Sequence, residues 1–407
     1  NTNKEFSNFN QRIYHAGSEQ NLFRNGTMIA KSLFNYNSTG TVSEESIINT
    51  LLYMFNYLKR GIMVGIKDNK IVLFLPFSKD NYENDYYEEL YFDENDKKKL
   101  QEYKRNPKNN KLKQQLENTV KYYFRKHKLD SKGAIWDRKK WFANNCFFRY
   151  DNYEGDKLML QYLDMLVDVC NNRKINDCVF MLNLRDFPIL RKDRKHPYSH
   201  IVDKPIPETY RNKDFCPIFS LGSSEHYEDE PLITQDDWRI ISHKFYPEKC
   251  TNEYIFENVT PVKWSDKKPV AIFRGAASGC GITSVTNMRL KATELSKLHP
   301  DLLDVGLTSF NRRIKKIKNG KIDSINVSTV KRKEFMTYNE KLKYKYILNI
   351  DGHITAFRLG HELQMNSVIL LAKSHYYIWF MPYLKPNVHY VPVKCDLSDL
   401  IDQIQWC

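Results

Sequence analysis

The chain lacks the patterns that assign many proteins to a class at first sight. None of its apolar runs reaches the roughly 20 residues that a membrane-spanning helix needs. Its 8 cysteines never form a Cys-x-x-Cys pair, so neither a zinc site nor a thioredoxin-type redox site is expected. It contains no internal repeat, no Walker A loop and no Gly-x-Gly-x-x-Gly loop. Any chemistry must therefore come from less common motifs.

The composition is that of a folded chain whose basic excess is confined to two segments. Hydrophobic residues make up 41% of the 407 residues, a length that accommodates two domains. The net charge of +14 is concentrated in residues 97–128 and 311–345, each of which holds 12 lysines and arginines. Such segments are typical of solvated faces and also of surfaces for a polyanion, and nucleic acid is not the expected partner.

The first 150 residues predict an elaborated mixed region. Apolar residues at helical spacing predict a helix over Ser43 to Lys59, capped at its start by Ser43. Two β-rich runs predict a hairpin over Ile62 to Phe77, with its turn at residues 67–70.

From Asp156 onward, predicted strands alternate with predicted helices. The strands are Cys178–Leu182, Pro217–Ser220, Val270–Phe273, Leu303–Val305, Tyr346–Ile350 and Ser367–Leu371. The helices are Leu158–Cys170, Met288–Leu298, Ala356–Gln364 and Tyr376–Leu384. This alternation predicts an α/β fold with parallel sheets, in two layers.

Two segments place an arginine just after a predicted strand. Arg274 follows strand 270–273, and Arg358 follows the loop Asp351 to Thr355. Ligands bind beyond the carboxyl ends of strands in open α/β sheets, and arginine can bind a diphosphate through two hydrogen bonds. The pattern fits an anion site, but taken alone it is more typical of structural or solvated loops.

The last third of the chain contains a specific string of motifs: Lys343-Tyr344-Lys345-Tyr346, Ala356-Phe357-Arg358, Leu384-Lys385-Pro386-Asn387-Val388-His389-Tyr390-Val391-Pro392-Val393-Lys394 and Asp396-Leu397-Ser398. In order and spacing this string resembles glycosyltransferase family 90, which includes Rumi-type protein O-glucosyltransferases and capsule-associated xylosyltransferases. The bias toward Asn, Lys and Ile fits an AT-rich coding sequence, such as that of a viral member.

Upstream segments extend the resemblance to roughly residue 175. Residues 273–278 resemble the family's Phe-Arg-Gly-Ser segment, residues 184–188 its Arg-Asp-aromatic-Pro segment, and residues 217–220 the strand that follows. The chain departs from the glucosyltransferases at Ala276-Ala277, where they have Ser and Arg, and in a longer acidic loop over residues 221–238. The first departure leaves the identity of the donor sugar open, and the second indicates that the acceptor side is rebuilt.

The resemblance implies the GT-B architecture, in which two Rossmann-like lobes face a cleft. It implies an N-terminal acceptor-side lobe over residues 1–235, with residues 1–150 divergent, and a C-terminal nucleotide-sugar lobe over 236–390. Residues 391–407 would then form a helix that crosses back to the first lobe.

The resemblance also implies the roles of particular residues in an inverting transfer from a UDP-sugar to a hydroxyl of a protein or glycan. Asp186 would be the general base, and no metal or other cofactor is expected. The implied donor-binding residues are Arg274, Ser278, Thr355, Ala356, Phe357 and Arg358. Within this set the two arginines would neutralise the departing diphosphate.

Alternatives remain open at this point. Asp186 is also typical of a turn carboxylate before a proline, and Glu225 or Asp229 could take its role as base. His389 and the neighbouring Lys385 and Pro386 fit structural roles better than chemical ones. The rival function is a catalytically degenerate transferase fold that binds an anionic polymer or glycan through the basic segments.

Overall fold

The structure, a computed structural model, describes residues 42–58, 60–79, 94–106, 108–116, 118, 146–147, 157–198, 204–234, 236–238, 261–310, 315–316, 322–323, 325, 327 and 330–407. The chain divides into two compact units. The first comprises residues 1–220 and 226–230, and the second comprises residues 221–225 and 231–407. Much of the basic segment 97–128 lies outside the described residues, as do residues 119–145. No helix in the described ranges is both long and apolar enough to cross a bilayer.

The first unit begins, among its described residues, with the predicted capped helix. Helix α1 spans Glu44–Leu52 and continues as a π-helical turn over Tyr53–Tyr57. The Ser43 hydroxyl accepts a hydrogen bond from the Ser46 amide at 3.1 Å, which satisfies one of the free N–H groups of the first turn. The predicted cap and helix are confirmed.

The predicted hairpin is confirmed as well. Strand β1 (Arg60–Lys67) pairs antiparallel with β2 (Lys70–Lys79). Asp68 and Asn69 form the connection with φ angles of 50° and 59°, the left-handed conformation that two-residue hairpin turns require.

The sheet of the first unit is mixed. Its strand order is β3-β2-β1-β4-β5-β6, with β3 at Cys146–Phe147, β4 at Cys178–Asn183, β5 at Ile218–Ser220 and β6 at Glu230–Pro231. Strand β1 runs antiparallel to both of its neighbours, β2 runs antiparallel to β3, and β4 runs parallel to β5. The helices are α2 (Glu94–Arg105), α3 (Lys157–Asn172) and the single turn α4 (Glu208–Arg211). The antiparallel hairpin therefore makes this sheet mixed, whereas the sequence predicts a parallel sheet.

The second unit contains a parallel sheet of five strands in the order β13-β12-β11-β7-β8. Their bounds are β7 Lys268–Ala277, β8 Leu303–Phe310, β11 Tyr344–Asn349, β12 Val368–Ala372 and β13 Val391–Val393. Two short strands, β9 (Lys315–Lys316) and β10 (Ile322–Asp323), pair separately. The helices are α5 (Met288–Leu298), α6 (Tyr338–Lys341), α7 (Leu359–Glu362) and α8 (Leu400–Trp406).

Both faces of this parallel sheet are buried, as expected for strands that read as continuous apolar runs. One face packs around Phe273, Leu348 and Leu370 and includes Leu400 and Ile404 of α8. The other face packs around residues that alternate with these, Ile272, Ile347, Ile369 and Leu371. Helix α8 thus contributes to the core of the second unit.

Three local predictions in this unit are wrong. Arg274 is not in a loop, because β7 continues to Ala277 through a bulge at Gly275/Ala276 while pairing with β8. The helix predicted over residues 356–364 is only the single turn α7. The helix predicted over residues 376–384 is replaced by a 3₁₀ turn over Met381–Tyr383, and Pro382 within it is incompatible with a continuing α-helix.

Candidate functional site

Asp186 lies in the turn that follows strand β4 of the first unit. It is exposed, whereas Asn183 before it and residues 187–190 after it are buried. The Asn183 side chain shapes this turn: its Oδ1 accepts from the Arg185 amide at 3.2 Å, and its Nδ2 donates to the Phe187 carbonyl at 2.6 Å. Asp186 itself forms no hydrogen bond or ion pair with the described residues.

The residues on both sides of Asp186 are anchored. Arg185 donates to the Tyr198 hydroxyl at 3.2 Å and to the carbonyl oxygen of Leu58. The Phe187 ring packs edge-on against Tyr198, with 5.1 Å between the ring centroids. The turn therefore presents a carboxylate to solvent from a fixed backbone, the arrangement that a general base requires.

The second unit brings the two predicted arginines together. Arg358 donates from Nη1 to the carbonyl oxygen of Arg274 at 2.9 Å. Its guanidinium lies 4.8 Å from the centroid of the Phe273 ring. A Cβ atom at Gly275 would lie 3.1 Å from Arg358 Nη1, so the glycine of the Phe-Arg-Gly motif gives this guanidinium room.

Arg274 is committed to an ion pair. Its Nη2 donates to Asp304 Oδ2 at 2.7 Å, and its Nη1 donates to the Asp304 carbonyl at 2.8 Å. Lys333 holds the other carboxylate oxygen of Asp304 at 2.5 Å. Because these contacts join β7 to β8, the Arg274 side chain stabilises the sheet in addition to any contact with a ligand.

Arg358 retains hydrogen-bonding capacity. Its Nε lies 2.7 Å from Oε1 of Glu362, a buried carboxylate that also accepts from Asn349 Nδ2 at 2.6 Å. Its Nη2 is buried and has no hydrogen-bond partner among the described residues. A buried guanidinium nitrogen without an acceptor is costly, and a phosphate oxygen would satisfy it.

Arg289, on the first turn of α5, is a site residue that the sequence reasoning missed. It donates to the carbonyl oxygens of Ala276, Ile350 and Asp351 at 2.8, 3.0 and 2.8 Å, and to Ser278 Oγ at 2.7 Å. Burial and the neighbouring Arg358 lower the pKa of Arg289 to about 9. Arg289 thus ties together the segments after β7 and β11. The signal available in the sequence was a basic residue in a first helical turn, where the helix dipole disfavours it.

The remaining predicted donor residues gather around these segments. Ser278 uses its hydroxyl oxygen as the acceptor for Arg289. The Ala356 amide donates to the Asp351 carboxylate, whose pKa burial raises to about 7. The Thr355 hydroxyl is buried and has no partner among the described residues, whereas Phe357 packs into the hydrophobic core. The Ala356 N–H is therefore already used within the protein.

The structure also separates the alternatives to Asp186. Asp229 is 3% exposed and accepts hydrogen bonds from three donors, so it is not placed as a base for a substrate. Glu225 is exposed in the second unit. His389 accepts from the Lys385 amide through Nδ1 at 2.8 Å, which fits the structural role predicted for it. In the described ranges no group of three or more His, Cys, Asp or Glu side chains is arranged to hold a metal ion.

Comparison with known proteins identifies the family. The model of glycosyl transferase family 90 matches residues 156–407. The chain is 36% identical to uncharacterized protein 035R of Invertebrate iridescent virus 3, over 98% of this chain and 36% of that protein. It is 35% identical to uncharacterized protein 179R of Invertebrate iridescent virus 6, over 90% of this chain and 34% of that protein. It is 29% identical to human protein O-glucosyltransferase 3, over 60% of this chain and 41% of that protein. The chain spans about a third of the length of these viral relatives, and it belongs to glycosyltransferase family 90.

Proposed function

We propose that this chain transfers a sugar from a UDP-sugar to an acceptor hydroxyl in a single, inverting displacement. The observation that carries the proposal is Nη2 of Arg358, which is buried and has no partner among the described residues of this family 90 chain. Strand ends in open α/β sheets bind ligands, and a guanidinium suits a diphosphate.

In this proposal Asp186 takes the proton from the acceptor hydroxyl. At the same time the oxygen of that hydroxyl attacks the anomeric carbon of the donor sugar. The bond from that carbon to the diphosphate breaks at the same time, and UDP leaves with the electron pair. Arg358, supported by Arg274 and Arg289, stabilises the negative charge on the leaving diphosphate. Ser278 and Thr355 add hydroxyl contacts to the donor. The protein needs no nucleophilic side chain and no metal ion in this scheme.

The finer parts of the proposal rest on the family. The two units are proposed to be the lobes of a GT-B enzyme, with the donor held by the second unit. The name of the human relative, protein O-glucosyltransferase 3, makes glucose and a protein hydroxyl the first donor sugar and acceptor to try.

The decisive experiment measures release of UDP from a panel of UDP-sugars, with and without added acceptors. Wild-type protein should release UDP from at least one donor, and the Arg358→Ala variant should release it far more slowly at subsaturating donor. Absence of UDP release from every donor, together with absence of UDP binding by calorimetry, contradicts the proposal.

A second candidate is a degenerate transferase fold that binds an anionic polymer. The commitment of Arg274 to Asp304 favours it, since an arginine held by a carboxylate is less available for a donor. Binding of UDP without turnover of any donor, combined with tight binding of a polyanion such as heparin, would support this candidate.

A further inference from the structure

A buried chain of side chains runs beneath the turn that carries Asp186. It begins at Asn183, the last residue of β4, whose Nδ2 donates to Ser220 Oγ at 2.9 Å. Asn183 and Ser220 face each other in the register of the parallel β4–β5 pair, at the carboxyl ends of both strands. Both side chains are fully enclosed, with exposures of 2% and 0%.

The chain continues from Ser220 to Asp229. The Ser220 hydroxyl donates to Asp229 Oδ1 at 2.5 Å. Asp229 then accepts from the amides of Ile189 and Leu190 at 2.7 Å each. Burial raises the pKa of Asp229 to about 6, and its hydrogen-bond donors oppose that rise. Donors on both carboxylate oxygens favour the ionised form, whose hydrogen bonds are the stronger ones.

The side chains of Asn183 and Asp229 hold the backbone on both sides of Asp186. Asn183 bonds to the backbone of Arg185 and Phe187, one residue before and one residue after Asp186. Asp229 holds the next two amides along the chain, and the Tyr53 hydroxyl donates to the Ile189 carbonyl at 2.5 Å. The Ser220 hydroxyl links the two halves of this arrangement, because it contacts both Asn183 and Asp229.

We propose that Asn183, Ser220 and Asp229 act as a positioning relay that fixes the backbone from which the Asp186 carboxylate projects during transfer. This inference rests on the proposed function of Asp186 as base. A displacement of a catalytic group by about 1 Å can cost on the order of a hundredfold in rate. Loss of the Ser220 hydroxyl therefore lowers kcat without changing the affinity of the second unit for UDP.

The test is the Ser220→Ala variant, with Ser46→Ala as the matched control. Ser46 is also buried in the first unit and donates from its hydroxyl to a backbone carbonyl, that of Ser43 at 2.7 Å. Ser220→Ala should lower kcat roughly 10- to 100-fold at unchanged UDP affinity, and amide exchange at Ile189 and Leu190 should accelerate. Ser46→Ala should leave both kcat and the amide exchange of Ile189 and Leu190 unchanged.

A double variant separates positioning from general damage. In an Asp186→Asn background, Ser220→Ala should lower the rate no further, because the relay acts through the carboxylate that is already lost. Asp229→Asn replaces Ser220→Ala if the latter does not fold. A Ser220→Ala variant with wild-type kcat, or one whose effect is additive with Asp186→Asn, overturns the relay while leaving the base assignment intact. A wild-type rate in Asp186→Asn overturns the base assignment and the relay together.

Discussion

Arg358 Nη1 donates a hydrogen bond to the carbonyl oxygen of Arg274 at 2.9 Å. The two residues come from motifs 84 positions apart in the sequence, and the pairing of β7 with β11 brings their segments together. They are not equivalent, however. Both terminal nitrogens of Arg274 donate to acceptors of the protein, whereas Arg358 Nη2 is buried and has no acceptor among the described residues.

The first prediction concerns UDP affinity in the Arg358→Ala variant. A charge-assisted contact in a partly desolvated site contributes about 1.5–3 kcal/mol, so UDP binding should weaken roughly ten- to a hundredfold. Isothermal titration calorimetry measures it, with Lys297→Ala as the control that removes one positive charge from the exposed end of α5. Equal UDP affinities in wild type and Arg358→Ala would remove Arg358 from the donor site.

The second prediction separates the two arginines. Arg274→Ala should destabilise the second unit by about 1–3 kcal/mol, because it removes one of the two cationic partners of Asp304 and the bond to the Asp304 carbonyl. Its effect on UDP affinity should be smaller than that of Arg358→Ala. Thermal unfolding and calorimetry report these two quantities, and Lys333→Ala is the control that removes the more exposed partner of the same carboxylate. Undiminished stability with a large loss of UDP affinity would show that Arg274 leaves Asp304 to bind the diphosphate.

The sequence predicts those features of the fold and the site that depend on residues close together in the chain. Ser43 as a helix cap and the hairpin turn at Asp68 and Asn69 were predicted correctly, because both depend on neighbours a few residues away. The limits of β7 were wrong because its pairing with β8 carries the strand beyond Arg274.

Tertiary contacts also account for the residues that were missed. Arg289 stands in an ordinary helical pattern, and its importance appears only when three distant carbonyl groups surround its guanidinium. Asp229 looked like a free carboxylate in an acidic loop, and only the fold reveals that Ile189, Leu190 and Ser220 occupy its oxygens. The partners of both residues lie far away in the sequence, so no local pattern identifies them.

The third prediction is that donor turnover does not depend on a divalent metal ion. It follows from the proposal that arginine side chains neutralise the leaving diphosphate, the task that a metal ion performs in other transferases. Rates of UDP release measured in excess EDTA should equal those measured with Mg²⁺ or Mn²⁺. Complete loss of activity in EDTA that Mn²⁺ restores would contradict this account of the leaving group.

The fourth prediction concerns the pH dependence of stability, through Asp351. Burial raises the pKa of Asp351 from an ordinary value of 3.8 to about 7 in the folded chain. The folded state therefore binds more protons than the unfolded state between these values, and the stability contributed by this group falls as pH rises from about 4 to about 7. The expected loss is on the order of 2–4 kcal/mol.

Asp351→Asn is the variant that tests this pH dependence. Its amide does not titrate, so the free energy of unfolding should vary less over the same pH range than in wild type. Denaturant titrations at several pH values measure the difference, and Asp301→Asn provides a control at an exposed carboxylate of the same unit. An unchanged pH profile in Asp351→Asn would assign the dependence to another group.

The last prediction concerns Asp186, on which the proposed mechanism depends most directly. An acceptor hydroxyl is a poor nucleophile until a base removes its proton, and a positioned general base contributes about 10²–10⁴-fold to the rate. Asp186→Asn preserves the size of the side chain but cannot accept the proton, so kcat should fall by roughly two to four orders of magnitude.

Other properties of Asp186→Asn should stay close to wild type. Because Asp186 is exposed and has no partner among the described residues, the melting temperature should hardly change. UDP affinity should also remain the same, since the proposed donor contacts belong to the second unit. Asp214→Asn makes the same change at an exposed site of the same unit and should leave kcat intact. If Asp186→Asn retains transfer while Glu225→Gln abolishes it, the base is Glu225, and the membership of family 90 is unaffected.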